Sequence, residues 1–147
     1  MPKLLLFAPC EKVIVDRETN NTSLISLLES LNIQVKRSET DKIPPDAQIP
    51  LPWHILTLWQ SEPGDESKTW EQRVLVDLPQ ALDVTLKIAF EPGKPNYRNI
   101  LSIVGFPIRS ILNLDRCMIK LFIREEEGRS WELKAEYPIA IRHPKGD

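Results

Sequence analysis

The chain of 147 residues has few of the features that point to a specific chemistry. It has only five glycines, and they form neither a phosphate-binding loop nor the GxGxxG motif of dinucleotide-binding proteins. Its net charge is only −2, and no basic stripe of the kind found in nucleic-acid-binding proteins stands out. We therefore expect no nucleotide cofactor and no nucleic-acid partner.

Long apolar runs are also absent. The longest, Leu4 to Pro9, is far shorter than the roughly 20 residues that a membrane-spanning helix needs. It ends at a proline and is followed by Glu11 and Lys12, so it is also too short for the apolar part of a secretion signal. The sequence predicts a cytoplasmic protein without a membrane partner.

The two cysteines, Cys10 and Cys117, form no CxxC pair, and with His54 and His143 they show no metal-ligand spacing. A reactive cysteine needs a cationic or helix-N-terminal setting that lowers its pKa, and Lys12 near Cys10 is a weak example. Free cysteines more often pack as small apolar groups. We therefore predict that Cys10 is a packing residue of the first strand, and we expect no catalytic residue, no metal and no cofactor.

The chain does contain many segments in which apolar and polar residues alternate, the pattern of half-buried strands. Two such segments near the end are joined by a short connection, which predicts an antiparallel hairpin. Pro138 in the second segment predicts an edge position or a bulge. The first segment aligns Cys117, Ile119, Leu121 and Ile123, and the second aligns Trp131, Leu133, Ala135, Tyr137, Ile139 and Ile141.

Similar patterns predict strands upstream. The segment 51–60 is apolar on both faces, which is typical of a central strand, and we expect Trp53 and Trp59 to be core residues rather than an exposed aromatic patch. A strand that ends at Gly105 and Pro107 follows later in the chain. Between them lie two strands joined by a turn at Pro79 and Gln80; one aligns Trp70, Val74 and Val76, and the other aligns Val84, Leu86, Ile88 and Phe90.

One segment is ambiguous. In Thr22–Leu31 the leucines have helical spacing, yet as a strand the segment aligns Ile25, Leu27, Leu31, Ile33 and Val35. The preceding DRETNN is typical of a hairpin turn, and neighbouring strands are the simplest partners, so we favour a strand. The proline-rich stretch 36–52 then predicts a crossover from one sheet to the other.

These elements predict one domain, 1–147, built as an immunoglobulin-like Greek-key β-sandwich of about seven to nine antiparallel strands with little helix. The stretches CEKVIVD, SLISLL, YRNILSIVGFPI and AEYPIAIRH resemble a group of uncharacterised bacterial single-domain proteins. The resemblance implies the same sandwich and no catalytic residues. The chain departs from that group at Cys117, where many members have a tyrosine, so a tyrosine-corner hydrogen bond is not expected.

Function is therefore predicted mainly by exclusion. The first hypothesis is a non-catalytic protein-interaction or accessory module whose partner is another protein, with a homodimer as one arrangement. The second is a structural subunit of a bacterial or phage assembly. The third is a hydrolase or other thiol enzyme in which Cys10 or Cys117 is the nucleophile and folding brings a histidine close.

Overall fold

The computed structural model describes residues 1–34, 42–79, 82–128 and 130–143. Within these ranges it contains eleven strands, a 3₁₀ turn at Asp65–Ser67 and a four-residue helix. The elements are β1 (Lys3–Val15), β2 (Thr22–Leu27), β3 (Ser30–Asn32), β4 (Gln48–Ile49), β5 (Trp53–Gln60), β6 (Thr69–Val76), β7 (Asp83–Ala89), β8 (Asn96–Ile103), β9 (Phe106–Pro107), α1 (Ile108–Ile111), β10 (Arg116–Glu125) and β11 (Glu132–Arg142).

The first sheet has four strands in the order β2-β1-β5-β8, and every neighbouring pair is antiparallel. β5 pairs with β1 on one side and with β8 on the other, so the prediction of a central strand is confirmed. The hairpin predicted at DRETNN is also confirmed. Asp16 Oδ1 accepts the backbone N–H groups of Glu18 and Thr19 there, at 2.8 and 2.9 Å, which stabilises the turn between β1 and β2.

The second sheet has five strands in the order β3-β11-β10-β6-β7. The β10–β11 pair and the β6–β7 pair are both antiparallel, as their hairpin patterns predict. The turn predicted at Pro79 and Gln80 includes Gln80, which lies outside the described residues. The inward row of β10 is fully buried, which confirms the alternation of Cys117, Ile119, Leu121 and Ile123.

The two sheets pack face to face around one buried apolar cluster, so the fold is an all-β sandwich. Trp53 and Trp59 are 1% and 0% exposed, which confirms that both are core residues. Trp59 Nε1 donates to Oε1 of Gln72 across the two sheets at 2.8 Å. Gln72 is itself fully buried, and its amide oxygen supplies the acceptor that the buried indole N–H needs.

A two-stranded pair, β4 with β9, lies near Trp53. The Trp53 ring stacks on Phe106 with centroids 4.7 Å apart, and its Nε1 donates to the carbonyl oxygen of Gly105 at 3.2 Å. A Cβ on Gly105 would lie 2.0 Å from the carbonyl oxygen of Ile49. Only glycine allows the two backbones to approach this closely.

The segment Thr22–Leu31 is strand rather than helix, but it does not form one continuous strand. β2 belongs to the first sheet, whereas β3 pairs with β11 in the second sheet. Leu28 and Leu31 are buried and Ile25 and Leu27 are exposed, so the single aligned row is wrong for these residues. The β3–β11 pair is also parallel, which corrects the expectation of antiparallel strands throughout. Val35, the last residue of that row, lies outside the described residues.

A register shift changes the second half of the closing hairpin. Leu121 pairs with Ala135 but Phe122 pairs with Leu133, so Lys134 is an extra residue on β11. The bulge turns Leu133 to the outside, where it is 48% exposed. The predicted row is therefore correct at Ile139 and Ile141 and wrong at Leu133. Pro138 lies beyond the part of β11 that β3 covers, in agreement with an edge position.

The proline-rich stretch does join the two sheets, because β3 before it belongs to the second sheet and β5 after it to the first. Residues 35–41 within that stretch are outside the described ranges. Among the described residues, no helix has the length and apolarity that crossing a membrane requires.

Candidate functional site

The outer face of the second sheet carries charges that pair with one another. Arg73 donates from Nε and Nη2 to both carboxylate oxygens of Asp83 at 2.8 and 2.7 Å, and Arg124 Nε lies 2.5 Å from Glu71 Oε2. The hydrogen bonds from Arg73 hold the pKa of Asp83 below its usual range. Lys87 also contacts Glu126. These cations are already neutralised, so this face offers little attraction to a charged partner.

An open depression of about 350 Å³ lies on the same side of the sandwich, lined by Asp77, Leu114, Arg116, Met118, Lys120 and Glu136. Two of its charged residues, Lys120 and Asp77, lie 3.5 Å apart. Ligand pockets are typically concave and mostly apolar with a few convergent polar groups. This depression is open and its charges are of both signs, so it is a poor site for a small molecule.

The first sheet differs, because its outer side is apolar. Cross-strand pairing places Ala8 beside Leu56 and Cys10 beside His54, on the side opposite the core tryptophans. Ala8, Cys10 and Leu56 are 3%, 0% and 0% exposed although none of them belongs to the central core cluster. Something must therefore cover this side of the sheet.

The turn of the β1–β2 hairpin reaches this side of the sheet. β2 and β8 are the two outermost strands of the sheet, yet Arg98 on β8 reaches the hairpin turn. Its Nη1 donates to the carbonyl oxygen of Asn20 at 3.0 Å and to Thr22 Oγ1 at 2.9 Å, and its Nη2 donates to Asn20 Oδ1 at 3.0 Å. The turn must therefore lie over the outer side of the sheet, where Arg98 points.

Cys10 meets a histidine in this arrangement, as the thiol-enzyme hypothesis requires. His54 is its cross-strand partner, and His54 Nδ1 lies 3.0 Å from Ser102 Oγ on the next strand. However, the Cys10 side chain is fully buried, and burial raises the pKa of its thiol. A raised pKa lowers the thiolate fraction, which is the opposite of nucleophile activation.

Cys117 lies in the inward row of β10. It is fully buried, and burial, with a smaller contribution from Asp77, raises the pKa of its thiol to about 12. His143 Nε2 instead lies 2.8 Å from the carbonyl oxygen of Leu114. Both cysteines are free, and they belong to different sheets.

The most exposed apolar cluster of the hairpin is our candidate site. Ile14, Ile25 and Leu27 are 50%, 40% and 49% exposed, and we call them the hairpin patch. The register places Ile25 opposite Lys12 and Ile14 opposite Ser23, so Ile14 and Ile25 are diagonal neighbours. Exposed apolar residues grouped on one element are more informative than single ones.

The sequence did not identify this patch. Alternation aligns Ile25 and Leu27 in one row with residues that are buried, because periodicity shows which residues share a side and not whether another layer covers that side. The signal that could have found them is the excess of apolar residues in β1 and β2 over what one buried face needs.

Around these elements, the described residues include no group of three or more His, Cys, Asp or Glu side chains that could hold a metal ion. No protein-family model and no curated protein matches the chain. The resemblance to the bacterial single-domain group therefore stays a prediction.

Proposed function

We propose that the protein is a non-catalytic protein-interaction module that binds another protein through the hairpin patch. The observation that carries the proposal is the contrast between the two outer surfaces. Charged residues on the second sheet pair with each other, whereas Ile14, Ile25 and Leu27 remain 40–50% exposed on one hairpin. Exposed apolar groups of this kind are typical of protein-binding surfaces.

Covering the hairpin patch removes apolar side chains from water, which is favourable. Fully burying an Ile or Leu side chain stabilises by roughly 1.5–3 kcal/mol, so covering these half-exposed chains contributes about 1 kcal/mol each. Such an attraction is not screened by salt, unlike one between exposed charges. The patch thus favours an apolar, salt-resistant contact.

The non-catalytic part of the proposal is supported by the buried thiols. Both Cys10 and Cys117 are 0% exposed and both have raised pKa values. A thiol enzyme is the alternative function, and the observation that supports it is the position of Cys10 beside His54. Free thiols in both positions are also compatible with the proposed cytoplasmic location.

We further propose that the sandwich is immunoglobulin-like and that the chain is related to the bacterial proteins that its sequence resembles. Support comes from the order in which strands alternate between sheets. From β5 the chain enters the second sheet for β6 and β7, returns to place β8 beside β5, and then places β10 beside β6 and β11 beside β10. Strands interlocked in this way are characteristic of Greek-key sandwiches.

The test compares two substitutions at leucines of matched exposure. Leu27 in the patch is 49% exposed and Leu133 on the second sheet is 48% exposed. Tagged wild-type protein, Leu27→Asp and Leu133→Asp are used for affinity capture from the native cell, at low and at high salt. We expect a stoichiometric partner that survives high salt with wild type and Leu133→Asp, and at least about a tenfold loss with Leu27→Asp.

Other outcomes would discriminate between the hypotheses. Equal capture by all three proteins would overturn the hairpin patch as the binding surface. A partner lost at high salt would indicate a charged surface instead. Capture of the chain by itself in species larger than a dimer would favour the structural subunit.

A further inference from the structure

The second strand of the first sheet has an open edge. β2 pairs with β1 on one side and with no described strand on the other. Its sequence, TSLISL, contains no charged residue and no proline. Strand edges with unpaired N–H and C=O groups readily accept another strand, and proteins usually protect them with charges, prolines or a cover.

The other sheet edges carry such protection. β8, at the opposite edge of the same sheet, has Arg98 near its middle. In the second sheet, β7 contains Asp83 and Lys87, and β3 has only three residues. The part of β11 that β3 leaves uncovered contains Pro138. Among the described edge strands of six residues or more, β2 is therefore the one that contains neither a charged residue nor a proline.

We propose that β2 pairs antiparallel with β2 of a second copy of this chain, so that two first sheets join into one continuous sheet. The contact is isologous, which means that each copy offers the same strand and the assembly closes at two copies. The proposed function rests on exposed side chains of the hairpin patch, two of which, Ile25 and Leu27, belong to β2, whereas this inference rests on the unpaired backbone edge of β2.

Charge favours a second copy as the occupant. In a twofold arrangement every residue near the axis meets its own copy or a close neighbour, so any charge there would face a like charge. β2 contributes none. Lys12 on the paired strand would be separated from its copy by two strands, about 14 Å, which exceeds the screening length of physiological salt. The guanidinium of Arg98 lies 2.9 Å from Thr22 Oγ1 at one end of β2. The axis is therefore placed at Leu24, where Thr22 and its copy are about 14 Å apart.

The backbone limits the length of the pairing. Ser26 has a positive φ of 55°, which departs from extended strand geometry. The regular part of β2 is therefore Thr22–Ile25, and the twofold axis must lie within it. With the axis at Leu24, Ser23 faces Ile25 of the other copy and lies diagonally from its own copy.

The first experiment is sedimentation equilibrium of the purified chain, from low micromolar to near-millimolar concentration. We expect a reversible monomer–dimer equilibrium with no larger species. A monomer at every concentration would overturn the proposal, and so would a series of larger oligomers, because a closed twofold contact stops at two copies.

The second experiment exchanges charges at Ser23, an exposed residue outside the hairpin patch. Ser23→Lys and Ser23→Glu should each weaken the dimer about tenfold by like-charge repulsion, and an equimolar mixture should restore it as a heterodimer. Thr85→Lys and Thr85→Glu, at an exposed position of edge strand β7, are the matched controls and should leave association unchanged.

A dimer that the Ser23 variants do not weaken, or that their mixture does not restore, would show that the copies meet elsewhere. The purified chain needs no partner in these measurements, so their failure would leave the hairpin patch untouched. Conversely, unchanged capture by Leu27→Asp would remove the proposed function and leave the β2 contact standing.

Discussion

At the scale of single residues, the two thiols show how burial decides chemistry. Cys10 and Cys117 are each 0% exposed, and desolvation raises the pKa of both, for Cys117 to about 12. A raised pKa lowers the thiolate fraction at neutral pH, which opposes nucleophile activation. Cys10 and His54 lie side by side because the strand register pairs them.

We predict that neither thiol of the folded protein reacts with an aromatic disulfide reagent at pH 8, and that both react after denaturation. The control is the same reagent with Cys10→Ala, which should show one reactive thiol when denatured. Rapid labelling of Cys10 in the native state would contradict this prediction and revive the thiol-enzyme alternative.

The same shift implies a dependence of stability on alkaline pH. An unfolded thiol ionises near its ordinary pKa of 9.0, whereas Cys117 keeps its proton in the folded state up to about 12. The stabilisation is therefore complete below pH 9 and is lost as pH rises toward 12, with a slope of up to about 1.4 kcal/mol per pH unit. Urea unfolding at several pH values measures the effect, and Cys117→Ala should reduce the slope without abolishing it, because the pKa values of Cys10 and Tyr137 are raised as well.

At the scale of elements, the hairpin acts as a layer over the outer side of the first sheet. Arg98 fastens its turn through three hydrogen bonds to Asn20 and Thr22. The bonds go to neutral acceptors, so each contributes modestly, yet together they hold an element that would otherwise be attached only through β1.

We predict that Arg98→Ala loosens the hairpin more than it destabilises the sandwich. Amide hydrogen exchange of the turn and of β2 should accelerate by about tenfold or more, while the free energy of unfolding should fall by only about 1–2 kcal/mol. Arg73→Ala, which removes a similar arginine from the second sheet, is the control and should leave exchange in the hairpin unchanged. Uniform acceleration in both sheets would contradict the prediction.

At the scale of the whole molecule, both sheets contribute to one buried cluster. Trp53 and Trp59 come from the first sheet and Trp70 from the second, and Gln72 accepts the hydrogen bond from Trp59 between them. A shared core of this kind couples the two sheets, because neither can expose its inner face without exposing that of the other.

We predict that the chain unfolds as one cooperative domain. The urea transitions followed by tryptophan fluorescence, which reports on the core, and by far-ultraviolet circular dichroism, which reports on strands, should coincide. Two separated transitions would contradict the assignment of residues 1–147 to a single domain. The Arg98→Ala variant tests whether the hairpin unfolds with that domain.

The sequence by itself determined the strands, because the period of alternation is a local property of each segment. It also identified the hairpin turn at DRETNN, the central position of β5 and the burial of Trp53 and Trp59. The predicted inward position of Leu133 was wrong. The extra residue Lys134 shifts the alternation of β11 by one position, and nothing in the local sequence marks that bulge. The sequence also failed at Thr22–Leu31, where the chain changes sheets within one apolar run.

Only the tertiary structure decided what lies above each sheet face and beside each edge. The alternation that places Cys10 and Leu56 on one side is visible in the sequence, but the position of the hairpin turn over that side depends on Arg98, 78 residues away from Asn20. The open edge of β2 and the exposure of the hairpin patch are likewise relations between distant segments. Such relations depend on how layers pack, and a local pattern cannot encode them.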